Sequence, residues 1–144
     1  MANDKQEIVA ANKASVKRLA DELSRGNLGT FDAIMAPGYI AHNGSDTLIL
    51  NEVKGEYSTL LHAFPDGSWT PELMLSAEGD TIVTTGTFRG TQGDEYAGIG
   101  ASGQHVAIPF IWIHRFSGGT IREGWALRDE LALVQQIGGQ IVPD

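Results

Sequence analysis

Read as a string of apolar and polar positions, the chain changes character once. Up to about residue 64 the apolar residues recur at helical spacing, and from Trp69 onward the character is that of strands. The spacing predicts a first helix over residues 4–24, with Ile8, Val9, Val16, Leu19, Ala20 and Leu23 on one stripe and Lys13, Lys17, Asp21 and Glu22 between them. Asn3, with Gln6 three residues on, suits an N-cap, and Gly26 suits a C-terminal stop. A short second helix is expected around Thr30–Met35, ended by Pro37-Gly38, after which "YIAH" reads as a short extended piece. A third helix, about Asn51–Ala63, has Val53, Tyr57, Leu60, Leu61 and Phe64 as its apolar stripe and is closed by Pro65-Asp66-Gly67.

Strands are expected over 70–77 and 81–89, joined by Glu78-Gly79-Asp80, then over 105–116 and 120–126. The glycine-rich stretch "GTQGDEYAGIGASGQ" lies between the second and third of these strands, and a short helix begins near Asp129. Helices grouped ahead of strands indicate an α+β fold rather than alternating βαβ units. The expected architecture is a curved antiparallel sheet packed against three N-terminal helices, with a short C-terminal helix and a cone-shaped cavity between the layers. The whole of residues 1–144 reads as one domain, without internal repeat, linker or low-complexity segment.

The last two strands frame the chemistry. Gly118-Gly119 suits a two-residue hairpin loop, because both central positions of a type I′ turn need positive φ. An uninterrupted register from that turn would set Phe116 opposite Ile121, His114 opposite Glu123, and Trp112 opposite Trp125, all on one face of the sheet. An acid, an imidazole and two indoles among apolar groups describe a lined pocket better than a core face or a solvent face.

Composition narrows the classes. A hydrophobic fraction of 42% and a charged fraction of 19% are ordinary for a soluble globular protein. No apolar run approaches the roughly 20 residues of a membrane span, and the N-terminus lacks the layout of a secretory signal, so the expected setting is cytoplasmic and without a membrane partner. A formal charge of −8 argues against a nucleic-acid partner, which needs a basic patch. The absence of cysteine excludes disulfides, thiolate catalysis and cysteine-ligated zinc, and the four histidines show no ligand-type spacing, so no metal site is expected.

The stretch "HRFSGGTIREGW", followed by Asp129 and "LALVQQIGG", resembles the SnoaL-like polyketide or ester cyclases of the nuclear transport factor 2-like superfamily. Upstream, "GTFRGTQGDEYAGIGASGQHV" is similar to that family's Arg-containing strand and glycine-rich loop, so the resemblance spans nearly the whole chain. It implies one deep apolar cavity per subunit, a homodimer or homotetramer, and no metal or organic cofactor. It also implies ring closure of an aromatic polyketide methyl ester by intramolecular aldol condensation. The family's acid/base Asp corresponds to Ala126 here, and its assisting His corresponds to Trp112.

Four residues are candidates for the chemistry. Glu123 and His114 read either as a cavity acid/base pair, whose pKa values burial or a neighbour would bring toward neutrality, or as a cross-strand pair that fixes register. Asp129 reads as a general base at the cavity mouth or as the N-cap of the last helix. His42, after the short extended piece, would lie near a cavity entrance or on a surface loop. His62 reads as packing or surface, and His105 is uninformative. Trp112, Trp125, Phe110 and Tyr57 would line a site for a small hydrophobic or aromatic ligand, or form plain core. Arg89 would bind a substrate carboxylate or oxyanion, or pair with one of the acids. Residues 90–103 match no phosphate loop and read as a lid or rim. The leading expectation is a cofactor-independent, cyclase-like enzyme. The alternatives are a hydrolase or isomerase in the same cavity, or a non-catalytic small-molecule binding protein.

Overall fold

The structure, a computed structural model, describes residues 2–140. Helix α1 (Ala2–Ser24) buries Val16, Leu19, Ala20 and Leu23 as the spacing predicts. Ile8 is the exception at 54% exposed, because burial along this helix begins only at Val9. The helix already includes Asn3, so that residue is not its N-cap; its side chain lies outside the described residues. After α2 (Thr30–Ile34) the chain runs into β1 (Met35–Asn43), β2 (Asp46–Ile49) and α3 (Leu50–Ala63). The second half is β3 (Ser68–Ala77), β4 (Thr81–Thr91), β5 (His105–Ser117), β6 (Thr120–Arg128) and α4 (Glu130–Gln136).

The expected α+β fold is present as a six-stranded sheet in the order β2-β1-β6-β5-β4-β3, with helices packed on it. Two pairings go beyond the expectation, the first being the antiparallel pairing of the unanticipated β2 with β1. The extended piece around "YIAH" is a nine-residue strand that runs parallel to β6, which makes the sheet mixed. Pro37-Gly38 does not end a helix there. It falls in the irregular stretch between Met35 and Ile40, where β1 departs from the β6 register.

Period-2 alternation gives the sheet two unlike faces. Along β5 the residues Val106, Ile108, Phe110, Trp112, His114 and Phe116 are buried, and the residues between them are exposed or half-exposed. The buried set joins Leu19, Val53, Leu60 and the inward residues of β4, such as Ile82 and Phe88, in one core. Full burial of side chains of this size contributes roughly 1.5–3 kcal/mol each. Of the outward set, Ile113 pairs with Val83 and Trp125 and Ile111 with Thr85 and Leu127, and Leu73 and Leu75 of β3 pair in turn with Thr85 and Val83.

The β5–β6 turn forms as expected, with φ of 60° at Gly118 and 87° at Gly119 and Ser117 opposite Thr120. Phe116 faces Ile121, also as expected. Beyond that pair the register slips. Arg115 faces Glu123, His114 faces Gly124, Ile113 faces Trp125, and Trp112 faces Ala126. Arg122 is the extra residue of a β-bulge, and one extra residue turns every later side chain of β6 to the opposite face.

Candidate functional site

That slip decides what the concave face can do. Gly124, Ala126 and Arg128 of β6 take the inward positions, beside His114, Trp112 and Phe110 of β5. With Tyr39 and Ala41 from β1, Val53 and Tyr57 from α3, Leu19 from α1 and Phe31 from α2, they enclose a cavity of about 390 Å³. A volume in that range suits a small ligand.

His114 is the imidazole of the inner face. It is 5% exposed, and its Nδ1 is buried with no hydrogen-bond partner. Burial alone pulls it down to about 4, so it is neutral at pH 7. Two phenols share the wall. Burial pushes Tyr57 up to about 12, against the opposing pull of Arg128 and a hydrogen bond with Trp112. Burial, with the neighbouring Tyr57, likewise raises Tyr39. Both hydroxyls therefore stay protonated across the neutral range.

Charge enters only toward the mouth. Burial pulls the Arg128 guanidinium down, but Tyr96 and Glu130 outweigh it and the net shift is upward. Arg128 donates from Nε to Glu130 at 2.9 Å and from Nη2 to the Tyr96 hydroxyl at 3.3 Å. Tyr96 in turn donates to Glu130, which ties the loop between β4 and β5 to the start of α4. At the same rim Asn43 donates to Glu56 at 2.8 Å, bridging β1 and α3.

The predicted site residues separate accordingly. His114, Trp112, Phe110 and Tyr57 come together in the cavity. Glu123 and Trp125 do not share their face, which corrects the expected register; the Arg122 bulge is the reason. Glu123 instead lies on the outer face, 2.8 Å from His42 Nε2 and 3.0 Å from Arg115 Nη1. His42 stacks on Trp125 with ring centroids 4.9 Å apart, and Arg115 lies over the same indole at 5.3 Å. His42 and Trp125 also contribute to the cavity wall, but their rings join this outer cluster.

Asp129 caps α4, accepting a hydrogen bond from the Ala132 amide at 3.0 Å, and is not part of the cavity wall. Arg89 is exposed near the end of β4, opposite Ala107 and away from the cavity. The His62 ring is exposed and 2.8 Å from Asp94, and His105 bonds Thr91 where β4 ends and β5 begins. Among the described residues no cluster of three or more His, Cys, Asp or Glu is arranged to hold a metal ion, and no helix is long and apolar enough to cross a membrane.

Among the wall residues that were not anticipated are Tyr39, Arg128 and Glu130. Tyr39 stands two residues before Ala41 in a strand, a spacing that places both on one face. Arg128 and Glu130 were missed because β6 runs to residue 128 rather than 126.

The sequence matches the family model for SnoaL-like polyketide cyclases over residues 14–137. Among solved structures, AclR from Streptomyces galilaeus superposes with a TM-score of 0.84 at 21% identity, over 90% of this chain and 97% of that one. TsrD from Streptomyces laurentii gives 0.80 at 24%, over 91% and 97%. A SnoaL-like polyketide cyclase from Agrobacterium tumefaciens gives 0.72 at 15%, over 88% and 98%. At these identities the likenesses establish the fold alone. No curated protein matches the sequence significantly.

Proposed function

The chain belongs to the SnoaL-like polyketide cyclase family, and from that premise we propose a cofactor-independent enzyme that performs acid/base chemistry on a hydrophobic, polyketide-type carbonyl compound. The observation that carries this reading is His114, a neutral, partner-free imidazole on the wall of a cavity whose inner part is largely apolar and aromatic. Trp112 and Ala126, which correspond to the family's His and Asp, are directly opposite each other on the inner face. The acid/base function is thereby moved one step along β5, to His114.

In this mechanism a nitrogen of His114 takes a proton from the carbon beside a carbonyl. The C–H electron pair becomes the enolate π bond, and the carbonyl electrons move to oxygen. The enolate carbon then attacks a second carbonyl of the folded substrate, and the imidazolium returns the proton to the new alkoxide. Mass is conserved. The apolar wall of Phe110, Trp112, Phe31 and Tyr57 holds the reacting carbons together. A group held near 4 is a weak base, and each unit of mismatch costs about 1.4 kcal/mol, so the enolate must be stabilised where it forms.

The test is incubation with anthraquinone-type polyketide methyl esters, following mass and tryptophan fluorescence together. A product of unchanged mass is expected, and H114Q should lower kcat by about 100-fold or more with KM within threefold. Turnover by H114Q within threefold of the wild type would overturn the role of His114. A second reading rests on Trp112 and Ala126, both inert: a small-molecule binding protein without turnover, for which quenched fluorescence and no product would be decisive.

The homodimer or homotetramer implied by the family is part of the same proposal. Six of the eight exposed large apolar residues, Ile40, Ile49, Leu73, Leu75, Ile111 and Leu127, belong to the outer face of the sheet, which supports self-association through it. Light scattering of the eluting peak reads the state directly: a monomer at micromolar concentration would remove this part.

A further inference from the structure

Several hydroxyls of the inner face donate no hydrogen bond, and Tyr39 is the one whose position bears on His114. The Tyr39 phenol is 5% exposed and lines the cavity, yet its hydroxyl has no hydrogen-bond partner among the described residues. The Tyr57 phenol shares the cavity wall, within the electrostatic reach of Arg128. The Tyr39 hydroxyl, on the cavity wall, is free to donate to a bound molecule.

Its position is set by a missing side chain. Gly124 lies between Ala41 of β1 and His114 of β5. A Cβ added there would meet the Tyr39 hydroxyl at 2.6 Å and His114 Cδ2 at 3.2 Å. The phenol from one neighbouring strand and the imidazole from the other thus converge above the same glycine. Any side chain at 124 would displace the hydroxyl. The charged groups are elsewhere, with Arg128 and Glu130 paired to each other at the mouth. A carboxylate placed between Tyr39 and His114 would be buried without a cation, which is strongly unfavourable. A neutral carbonyl oxygen accepts the phenol hydrogen at no such cost.

We propose that Tyr39 donates a hydrogen bond to the carbonyl oxygen of an uncharged, enolisable aryl ketone whose neighbouring carbon faces His114, and that Gly124 is the positioning residue that lets the two groups share it. This deepens the acid/base reading and rests on it for the proton transfer, but the binding clasp stands on geometry alone. As the α C–H bond breaks and its proton passes to His114, the charge that accumulates on oxygen falls where the Tyr39 hydroxyl already points. A donor placed for the developing oxyanion acts on the rate more than on binding.

The probe is 1-tetralone, a neutral bicyclic aryl ketone with an enolisable α-carbon, with 2-naphthoic acid as the charged counterpart. Binding is read by tryptophan fluorescence, and α-proton exchange in heavy water by NMR, for the wild type, Y39F, G124A and the Y39F/G124A double variant, each checked for folding by circular dichroism. The wild type should bind the ketone at least tenfold more tightly than the acid. Y39F should weaken ketone binding several-fold and slow exchange roughly 10- to 100-fold. G124A should do the same, and the double variant should be no worse than Y39F, because removing the hydroxyl also removes the clash.

Ketone binding unchanged in both Y39F and G124A, ketone binding absent from the wild type, or equal affinity for the acid would each overturn the clasp. Losses in the two single variants that simply add in the double variant would also overturn it, since independent packing defects behave that way. Weakened binding in Y39F and G124A with no exchange by the wild type would uphold the clasp and defeat the acid/base reading instead.

Discussion

The two faces of the sheet use the same strands for opposite purposes. On the outer face, Glu123, Arg115, His42 and Trp125 form a charged cluster whose members are all half-exposed. On the inner face, one rung away, the polar groups around His114 include Tyr39, Tyr57 and the Trp112 indole, all uncharged at pH 7, and the inward cation Arg128 is paired with Glu130 at the mouth. Water screens the first set and makes its charges inexpensive to hold. The second set is largely shielded from water, so it is built from groups that remain neutral until a ligand arrives. The face a residue occupies therefore says more about its chemistry than its type. Glu123 is the more obvious base, and it is on the wrong side.

The largest expected difference between the faces is in packing. Phe116 is buried at the closed end of the inner face, and F116A should cost about 3–5 kcal/mol in urea denaturation. Leu127 is 61% exposed on the outer face, and L127A should stay within about 0.5 kcal/mol for an isolated subunit. A loss for L127A that approaches that of F116A would break the comparison. If the loss also depended on protein concentration, it would mean that the outer face is covered by another subunit.

Most of the fold was readable because the elements are local. The alternation of β5, the paired glycines at 118–119 and the stripe of α3 each carry their signal within one segment. The site was readable only in part, because its geometry depends on two irregularities that no local pattern announces. Arg122 is an ordinary strand residue in sequence, and nothing but the pairing of both strands reveals it as a bulge. The partnership of β1 with β6 joins Ala41 to Gly124, segments distant in sequence, and it brings Tyr39 to the wall. Read without these two features, the alternation from Ile121 placed Glu123 inside and left Tyr39 unnoticed. For Asp129 the helix-cap alternative describes the geometry, with the side chain on the Ala132 amide.

A second test sharpens the contrast through pH. His114 is held down to about 4 in the fold, whereas an unfolded histidine titrates near 6.5. Between those values the unfolded chain binds more protons, so stability rises with pH. The contribution is fully present above about pH 6.5, is lost as the pH falls toward about 4, and is flat below that. It amounts to roughly 3 kcal/mol over the whole window and about 2 kcal/mol between pH 7 and 5. Urea denaturation of the wild type and H114Q at both pH values isolates it, since the carboxylates titrate in both proteins. An equal pH slope in the two would mean that His114 is solvated and the inner face is not dry.

The smallest effect belongs to the outer cluster, and it is the one that separates the two faces most directly. E123Q removes the charge that bridges His42 and Arg115 and keeps the shape. Both partners remain supported, His42 by its stacking on Trp125 and Arg115 by the same indole at 5.3 Å, a contact worth about 0.5–1 kcal/mol at an exposed site. Half-exposed pairs of this kind contribute about 0–1 kcal/mol, so the expected shift in stability is below about 1 kcal/mol. Turnover should remain within twofold, because no part of Glu123 reaches the cavity wall. A 100-fold loss of turnover in a folded E123Q would require a carboxylate to act through the sheet from its solvent side. That result would reject His114 as the working base and return the acid of β6 to the centre of the chemistry.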